Sequence, residues 1–546
     1  MTARGNRVSA PGPPRWVWFV VLAVILLTII ARVRLLSIPL ERDEGEYAYA
    51  GQLILQGVPP YELVYNMKFP GIYYAYALVL AVFGQTQVGV HLGLLVVNAA
   101  TILLVFLLGR RLFDATAGAW AAAAFALMSV SPSVAGVFAH ATHFVLLPAL
   151  GGLLLLLRGL EGRLPRLLLF GGVLFGTALL MKQHGAVFLI LALLLVAWTR
   201  WRDKPADRRL VWVELAVLVT GTAIPLVATG AVLLASGVFG RFWLWTFVYA
   251  SEYVSQRSWS VALGYLARGV RNAAGTAWPL WGLAAIGLAL LAQDETWKRS
   301  RAFAVGFLVF SFLATVPGFY FRPHYFILLL PAIALLAGSV PGTAARLLTR
   351  LGPPRVFRAA GATALFCALV GSLALDGDRL FRMTVRQLSR SVYHQNPFPE
   401  ALEVAAYLES KTSPGETIAV FGSEPEIFFY AGRRSATGYI YMYPLMERQK
   451  LAETMRQEML REIETARPTF AVFVGVNTSW VDHSPSDNAT IDRLMAYANA
   501  NYDQVGLLEI LSPEHTEVRW ESAVADYTPK SPYRIVVLRR RDVSRD

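Results

Sequence analysis

The sequence predicts a polytopic α-helical membrane protein with an α/β domain at its C-terminus, and three observations predict it. Of 546 residues, 55% are hydrophobic and 16% charged, against about 25% charged in ordinary soluble chains. Many apolar runs reach or approach the roughly 20 residues a helix needs to cross hydrocarbon, where a helix also keeps its backbone groups paired. The connectors between these runs alternate between basic and non-basic, as loops on the two sides of a membrane do.

Taken in order, residues 1–15 carry three arginines among Pro and Gly and read as a cytoplasmic tail. Trp16 to Leu36 is too long and too poorly terminated for a cleaved signal peptide, so it reads as a retained first span. Residues 37–87 form a first outer loop: a helical pattern over 43–56, a turn at Gly57-Val58-Pro59-Pro60, then Lys68-Phe69-Pro70-Gly71. The run Ile72 to Phe83 that follows is too short to cross and is expected to be interfacial or re-entrant. Further spans are expected at 88–109, 117–135, 144–160, 165–181, 184–199, 210–237, 277–293, 302–320, 324–340 and 356–375, about eleven with the first.

Counting from a cytoplasmic N-terminus puts Gly109-Arg110-Arg111, Arg158 to Arg166, Thr199 to Arg209, Trp297 to Arg301 and Arg346 to Arg358 inside, and every one is basic. The formal charge of +13 is therefore a topology signal, and no nucleic acid partner is expected. The single Cys367 lies in a span and supports neither a disulfide framework nor a thiolate metal site.

At Asp376 the composition becomes that of a soluble chain, dividing the sequence into residues 1–375 and 376–546. Thr417 to Phe421, Phe470 to Val474 and Ile535 to Leu538 read as buried strands, alternating with helical patterns near 400–410, 424–431, 446–466 and 488–500. With an odd span count this domain lies outside. Asn477-Thr478-Ser479 and Asn488-Ala489-Thr490 fit a glycosylation acceptor pattern that is common by chance.

The outer connectors hold isolated polar groups at span boundaries: Asp43 and Glu44, His140 and His143, Lys182 and His184, an aromatic segment from Val238 to Gly275, and Arg322, His324 and Tyr325. Singly, each reads as a snorkelling side chain or an aromatic anchor. Together, on one side, they read as a site. The stretch Glu41-Arg42-Asp43-Glu44-Gly45-Glu46 stands out, with four carboxylates behind the first span. Asp43 and Glu46 have the spacing of a capping box, which leaves Glu41 and Glu44 unexplained. A carboxylate in a partly desolvated groove can take a proton from an attacking hydroxyl or amine. Lys182, Arg322 and the histidines can offset the charge of a phosphate leaving group.

The order of these motifs resembles a known group. An acidic pair after the first span, then Pro60-Tyr61, Lys68-Phe69-Pro70-Gly71-Ile72-Tyr73-Tyr74, Leu107 to Phe113, Leu180-Met181-Lys182-Gln183, Arg322-Pro323-His324-Tyr325-Phe326 and Leu329-Leu330-Pro331-Ala332 looks like the GT-C glycosyltransferases, nearest to the protein O-mannosyltransferases and lipid A aminoarabinose transferases. Phe421 to Tyr430 is similar to the opening of the soluble domain in many bacterial members. The resemblance implies an inverting transferase in a bacterial inner membrane. Its donor would be a polyprenyl-phosphate sugar and its acceptor a protein, lipid or glycan. By position it implies Asp43 as general base with Glu44 beside it, Lys182 and Arg322 on the lipid phosphate, and Lys68, His184, His324, Tyr325, His140 and His143 lining the substrate cavity. Related sequences carry further acidic residues where this chain has Asn66 and the His140/His143 pair. The expectation is therefore no cofactor and no obligatory metal, although two histidines three apart leave room for a divalent ion.

A transporter or flippase would put ionisable groups or broken helices at the midplane, whereas here the polar groups gather at one edge. A receptor anchored by its spans would need neither eleven of them nor the acidic loop.

Overall fold

The computed structural model describes residues 14–203, 208–254, 259–480 and 489–542. The basic tail before Pro14, Lys204, residues 255–258 of the aromatic segment and the acceptor pattern beginning at Asn488 fall at least partly outside the described residues.

Helices α1 (Arg15–Arg34), α2 (Arg42–Leu55), α3 (Gly71–Phe83), α4 (Gln87–Leu112), α5 (Ala115–Val130), α6 (Ala141–Gly162), α7 (Pro165–Met181), α8 (Ala186–Asp203) and α9 (Arg208–Ala235) lead into the aromatic segment. There α10 (Phe239–Trp243), a π-helical turn over Leu244–Tyr249, α11 (Ala250–Val254) and α12 (Trp259–Ala274) follow, and then α13 (Trp278–Gln293), α14 (Lys298–Leu313), α15 (Leu330–Leu347) and α16 (Pro354–Gly377). Local sequence sets several of these ends. Thr86 accepts from Gly89 N and Asp114 from Ala117 N, capping α4 and α5, and Pro165 opens α7, where no intrahelical N–H is needed. Phe19 and Leu27 of α1 and Trp212 and Val227 of α9 are exposed, as lipid-facing side chains must be.

A helix stands at each of the eleven expected span positions. Eight of these regions are long and apolar enough to cross a membrane. The other three, α5, α7 and α14, have 16, 17 and 16 residues, about 24–26 Å of helix against hydrocarbon of about 30 Å, so length alone does not establish eleven crossings. Three expected boundaries are corrected. The chain leaves the helix at Val130 rather than 135, at Ser131-Pro132. The expected spans 302–320 and 324–340 are interrupted from Ala314 to Leu329, where Pro317, Gly318 at φ 74° and Pro323 prevent continuous helix. The aromatic segment 238–275 is largely helical rather than a loop. The last turn of α1 holds a buried charge. Arg32 of α1 donates to Asn98 Oδ1 of α4 at 3.3 Å, to Ser129 O of α5 at 2.9 Å and to Gly136 O at 3.1 Å, a buried knot in which each bond ties one element to another.

The C-terminal part holds α17 (Val385–Tyr393), α18 (Phe398–Lys411), α19 (Glu426–Ala431), α20 (Tyr443–Met446), α21 (Ala452–Ala466) and α22 (Ala489–Asn501) around one six-stranded sheet. Its strands are β1 (Thr417–Phe421), β2 (Arg434–Ser435), β3 (Phe470–Gly475), β4 (Tyr502–Ile510), β5 (Thr516–Trp520) and β6 (Arg534–Arg540), in the order β2-β1-β3-β6-β4-β5. β1 lies parallel to β2 and β3, with Ile418 opposite Phe470, and the remaining pairs are antiparallel, with Ala471 opposite Leu538. The three strands read from the sequence are β1, β3 and β6, which are neighbours in the sheet.

The core of this sheet is continuous with the first outer loop. Ile418, Val420 and Val472 share one buried cluster with Tyr47, Tyr49 and Leu53 of α2 and Ile72 and Tyr73 of α3. Close approach of α2 to α19 makes this joint. A Cβ on Gly45 would lie 2.6 Å from Glu426 N, against backbone that cannot give way. Gly45→Ala is expected to cost about 1–3 kcal/mol by overpacking, read as a lower melting temperature of the purified protein and faster proteolytic release of the C-terminal part.

Candidate active site

The α2 N-terminus decides which carboxylates are available. The capping box is formed by Glu41 and Glu44: Glu41 Oε1 accepts from Glu44 N at 3.0 Å and Glu44 Oε2 from Glu41 N at 3.0 Å. This corrects the expected box at Asp43 and Glu46, which starts the helix two residues too late. Glu44 is fully buried, accepts from Ala139 N, and lies 3.1 Å from His91 Nε2. It does not face the cavity, so its place beside Asp43 as a reacting group is not what the fold builds. Asp43 and Glu46, one turn apart on the same face, point instead at Lys68.

Lys68 Nζ is 2.8 Å from Asp43 Oδ1 and 2.6 Å from Glu46 Oε2, over the Tyr47 ring. Glu46 Oε1 accepts from Tyr73 OH at 2.5 Å. Burial works to raise the Asp43 carboxyl, but the Lys68 ammonium and a hydrogen bond from His140 outweigh it and hold it well below the usual carboxylate range. Asp43 is therefore ionised at neutral pH. Its Oδ2 looks toward His140 Nδ1 at 3.8 Å and His324 Nε2 at 3.9 Å. His140 is fixed from behind by Tyr393 OH at 3.0 Å from its Nε2. Burial, with His140 and Lys182 nearby, pushes the His324 imidazole well below its ordinary value, so it is neutral.

Asp43 opens into a cavity of about 200 Å³ whose wall includes Lys68, Lys182, His184, Arg322, His324 and Tyr325. Six expected residues besides Asp43 thus meet there, drawn from three separate connectors. Lys182 Nζ sits 4.5 Å from the centre of the Tyr325 ring. Burial lowers the Lys182 ammonium to about 7. Arg322 is exposed at the mouth, 5.5 Å from the Tyr320 ring. Among the described residues neither Lys182 nor Arg322 has a carboxylate partner, whereas Lys68 has two. His184 stands edge-on to Tyr325 at 4.8 Å with both buried ring nitrogens unpartnered. The cavity wall thus brings cations that can receive an anion together with an ionised carboxylate.

Besides Glu44, two expected residues do not line the cavity. His140 stacks behind His324 and faces Asp43 directly, so it touches the site through both without lining the cavity. His143 faces the Arg32 side of α6 and takes no part. The expected His140/His143 pairing is replaced by His140 with His324 and Asp43, whose donor atoms lie within 4.8 Å of one another. That set has the chemistry of a zinc-type site but not the geometry. The two rings stack at 4.1 Å with planes 16° apart. Nitrogen lone pairs lie in the ring planes, and two nearly parallel planes share no point about 2.0–2.1 Å from both nitrogens. Lys68 also occupies Asp43 Oδ1. As folded, the two rings do not aim both nitrogens at one point, so these residues would hold a metal only after a ring turns.

Sequence reading missed the part of the wall that comes from elsewhere. The π turn aims Thr246 and Tyr249 into the cavity and Trp245 inward against Tyr65, so these are not a membrane belt, while Trp243 at the end of α10 and Phe247 on the turn are exposed as a belt would be. Tyr441, Tyr443 and Glu447 arrive from the C-terminal part. Arg42 ties that part down, donating to Glu424 Oε1 at 2.8 Å, Tyr443 OH at 2.7 Å, Asn396 Oδ1 at 3.1 Å and Ser423 O. The alternating tyrosines of Tyr439-Ile440-Tyr441-Met442-Tyr443 were the available signal.

Residues 67–228 match the family model described as dolichyl-phosphate-mannose-protein mannosyltransferase. Among curated proteins there is no match. The fold is similar to that of ArnT from Cupriavidus metallidurans bound to undecaprenyl phosphate, with a TM-score of 0.58 and 17% identity over 96% of this chain and 98% of that one. It is also similar to the oligosaccharyltransferase AglB from Archaeoglobus fulgidus in complex with an inhibitory peptide and a dolichol-phosphate, with a TM-score of 0.55 and 12% identity over 94% of this chain and 75% of that one.

Proposed function

We propose that this chain, a GT-C-fold protein of the protein O-mannosyltransferase and ArnT branch, is an integral membrane glycosyltransferase that takes its sugar from a polyprenyl-phosphate carrier. The observation that carries the reading is the pairing, in one cavity, of ionised Asp43 with two cations that have no carboxylate partner among the described residues. The polyprenyl phosphates named with ArnT and AglB support the class of donor. The acceptor hydroxyl or amine attacks the anomeric carbon while the bond from that carbon to the phosphate oxygen breaks. Its proton passes to Asp43, and the electron pair leaves on polyprenyl phosphate, whose charge grows by one. Lys182 and Arg322 receive that charge. A base and a leaving group on opposite sides of one carbon give inversion. The acceptor is a protein, lipid or glycan.

Purified protein in lipid is expected to release polyprenyl phosphate from a sugar-charged carrier only when acceptor is present; no release from any charged carrier would end the reading. The reaction is proposed to need no metal, so chelation by EDTA should leave the rate unchanged, and loss restored by a divalent ion would overturn that part of the reading.

The pH dependence follows from Lys182. A lysine lowered to about 7 is charged below that pH and neutral above it. Donor kcat/KM is therefore expected to fall as pH rises through about 7, while Asp43 stays ionised across the range. Lys182→Arg should flatten this limb, because a guanidinium keeps its charge. An unchanged profile in that variant would remove Lys182 from phosphate binding.

We place the cavity on the outer side of the membrane with the basic connectors inside. A reporter fused after Asp376 should be active only outside.

A further inference from the structure

We propose that the ends of α4 and α6 farthest from the catalytic cavity bind the phosphate headgroup of an anionic membrane lipid. α6 begins beside Asp43 at His140, and Arg158 lies 18 residues further on, about 27 Å along the helix axis. The site is thus on the opposite bilayer face and separate from the catalytic one. A cavity of about 350 Å³ is lined there by Leu107, Arg110, Arg111, Leu154, Arg158 and Glu161.

Its charge is unbalanced. Glu161 pairs with Arg111 at 2.8 Å, and among the described residues neither Arg110 nor Arg158 has a carboxylate partner. The buried Nε–H of Arg111 has no acceptor. Three guanidinium groups around one carboxylate suit a phosphate, which guanidinium binds through paired charge-assisted hydrogen bonds. Its floor distinguishes a lipid from a free anion. Leu107 and Leu154 stand one helical turn before Arg111 and Arg158, on the bilayer side of each. The cavity therefore passes from cationic to apolar in the direction in which a lipid passes from headgroup to acyl chain. Arginines serving only as a topology signal need water, not a shared concave site built from two helices. Attraction of such basic pockets for anionic headgroups has the right sign and range.

The test measures binding of short-chain phosphatidylglycerol and phosphatidylcholine to the full-length solubilised protein by native mass spectrometry. The expected result is at least about tenfold tighter binding of phosphatidylglycerol, lost in the double variant Arg110→Gln/Arg158→Gln and kept in Arg355→Gln/Arg358→Gln, which neutralises another basic segment. Arg110 and Arg158 are exposed, so their neutralisation leaves helix packing intact, which an unchanged melting temperature verifies. Inorganic phosphate at about 10 mM is expected not to displace the lipid. Equal binding of the two lipids, equal loss in both double variants, or full displacement by phosphate would each overturn the proposal; the last would make the site one for a free anion. Transfer activity plays no part in these readouts.

Discussion

Asp43→Asn is expected to lower kcat for sugar transfer by roughly 10²–10⁴-fold, the usual worth of a general base, with little change in donor KM. The argument rests on position and charge. Asp43 is the only carboxylate of the α2 cluster that lines the cavity: Glu41 and Glu44 close the cap, and Glu46 is held behind Lys68 by Tyr73. Asparagine keeps the shape and a contact to the His140/His324 pair, but cannot accept the proton that the acceptor must lose. A depressed carboxyl is a weak base, and in the proposed reaction it takes the proton as the acceptor bonds to an electron-poor anomeric carbon, which makes that proton more acidic. Melting temperature should be nearly unchanged, since Lys68 retains Glu46. Normal turnover in steady-state assays of this variant would give the base role to another group.

Arg322→Gln is expected to lower kcat by about 10²–10³-fold, the scale seen when one preorganised donor to a developing negative charge is removed, and to raise donor KM as well. Arg322 stands exposed on the cavity wall with Lys182, without a carboxylate partner among the described residues, so its charge is available to the phosphate. Arg322→Lys should recover only part of the loss, because an ammonium cannot make the paired contact. A change in KM alone would reduce Arg322 to uniform binding of the donor.

Much of this was legible in the sequence, for reasons that differ by region. The spans are continuous apolar runs because they face lipid and one another, and strands β1, β3 and β6 because they lie in the interior of the sheet. β2 has two residues and β5 is half-buried throughout, so neither leaves a run to find. Asp43, Lys182 and Arg322 were legible because a charge at a span boundary has few reasons to be there. The cap was misread because Glu41/Glu44 and Asp43/Glu46 have the same spacing, and only the helix start, two residues earlier, distinguishes them. Tyr441 and Tyr443 were hidden because they reach the cavity through Arg42, about 400 positions away in the chain. The stacking of His140 on His324 likewise joins two distant connectors.

The central claim is a division of labour in one cavity, with Asp43 handling the proton and Lys182 and Arg322 the phosphate. Binding of polyprenyl phosphate, the product, to wild type, Asp43→Asn and Arg322→Gln tests it without any turnover. The expected result is that Asp43→Asn binds at least as tightly as wild type, since a nearby negative charge has gone, while Arg322→Gln binds at least about tenfold more weakly. Weakened binding in Asp43→Asn with full binding in Arg322→Gln would contradict it.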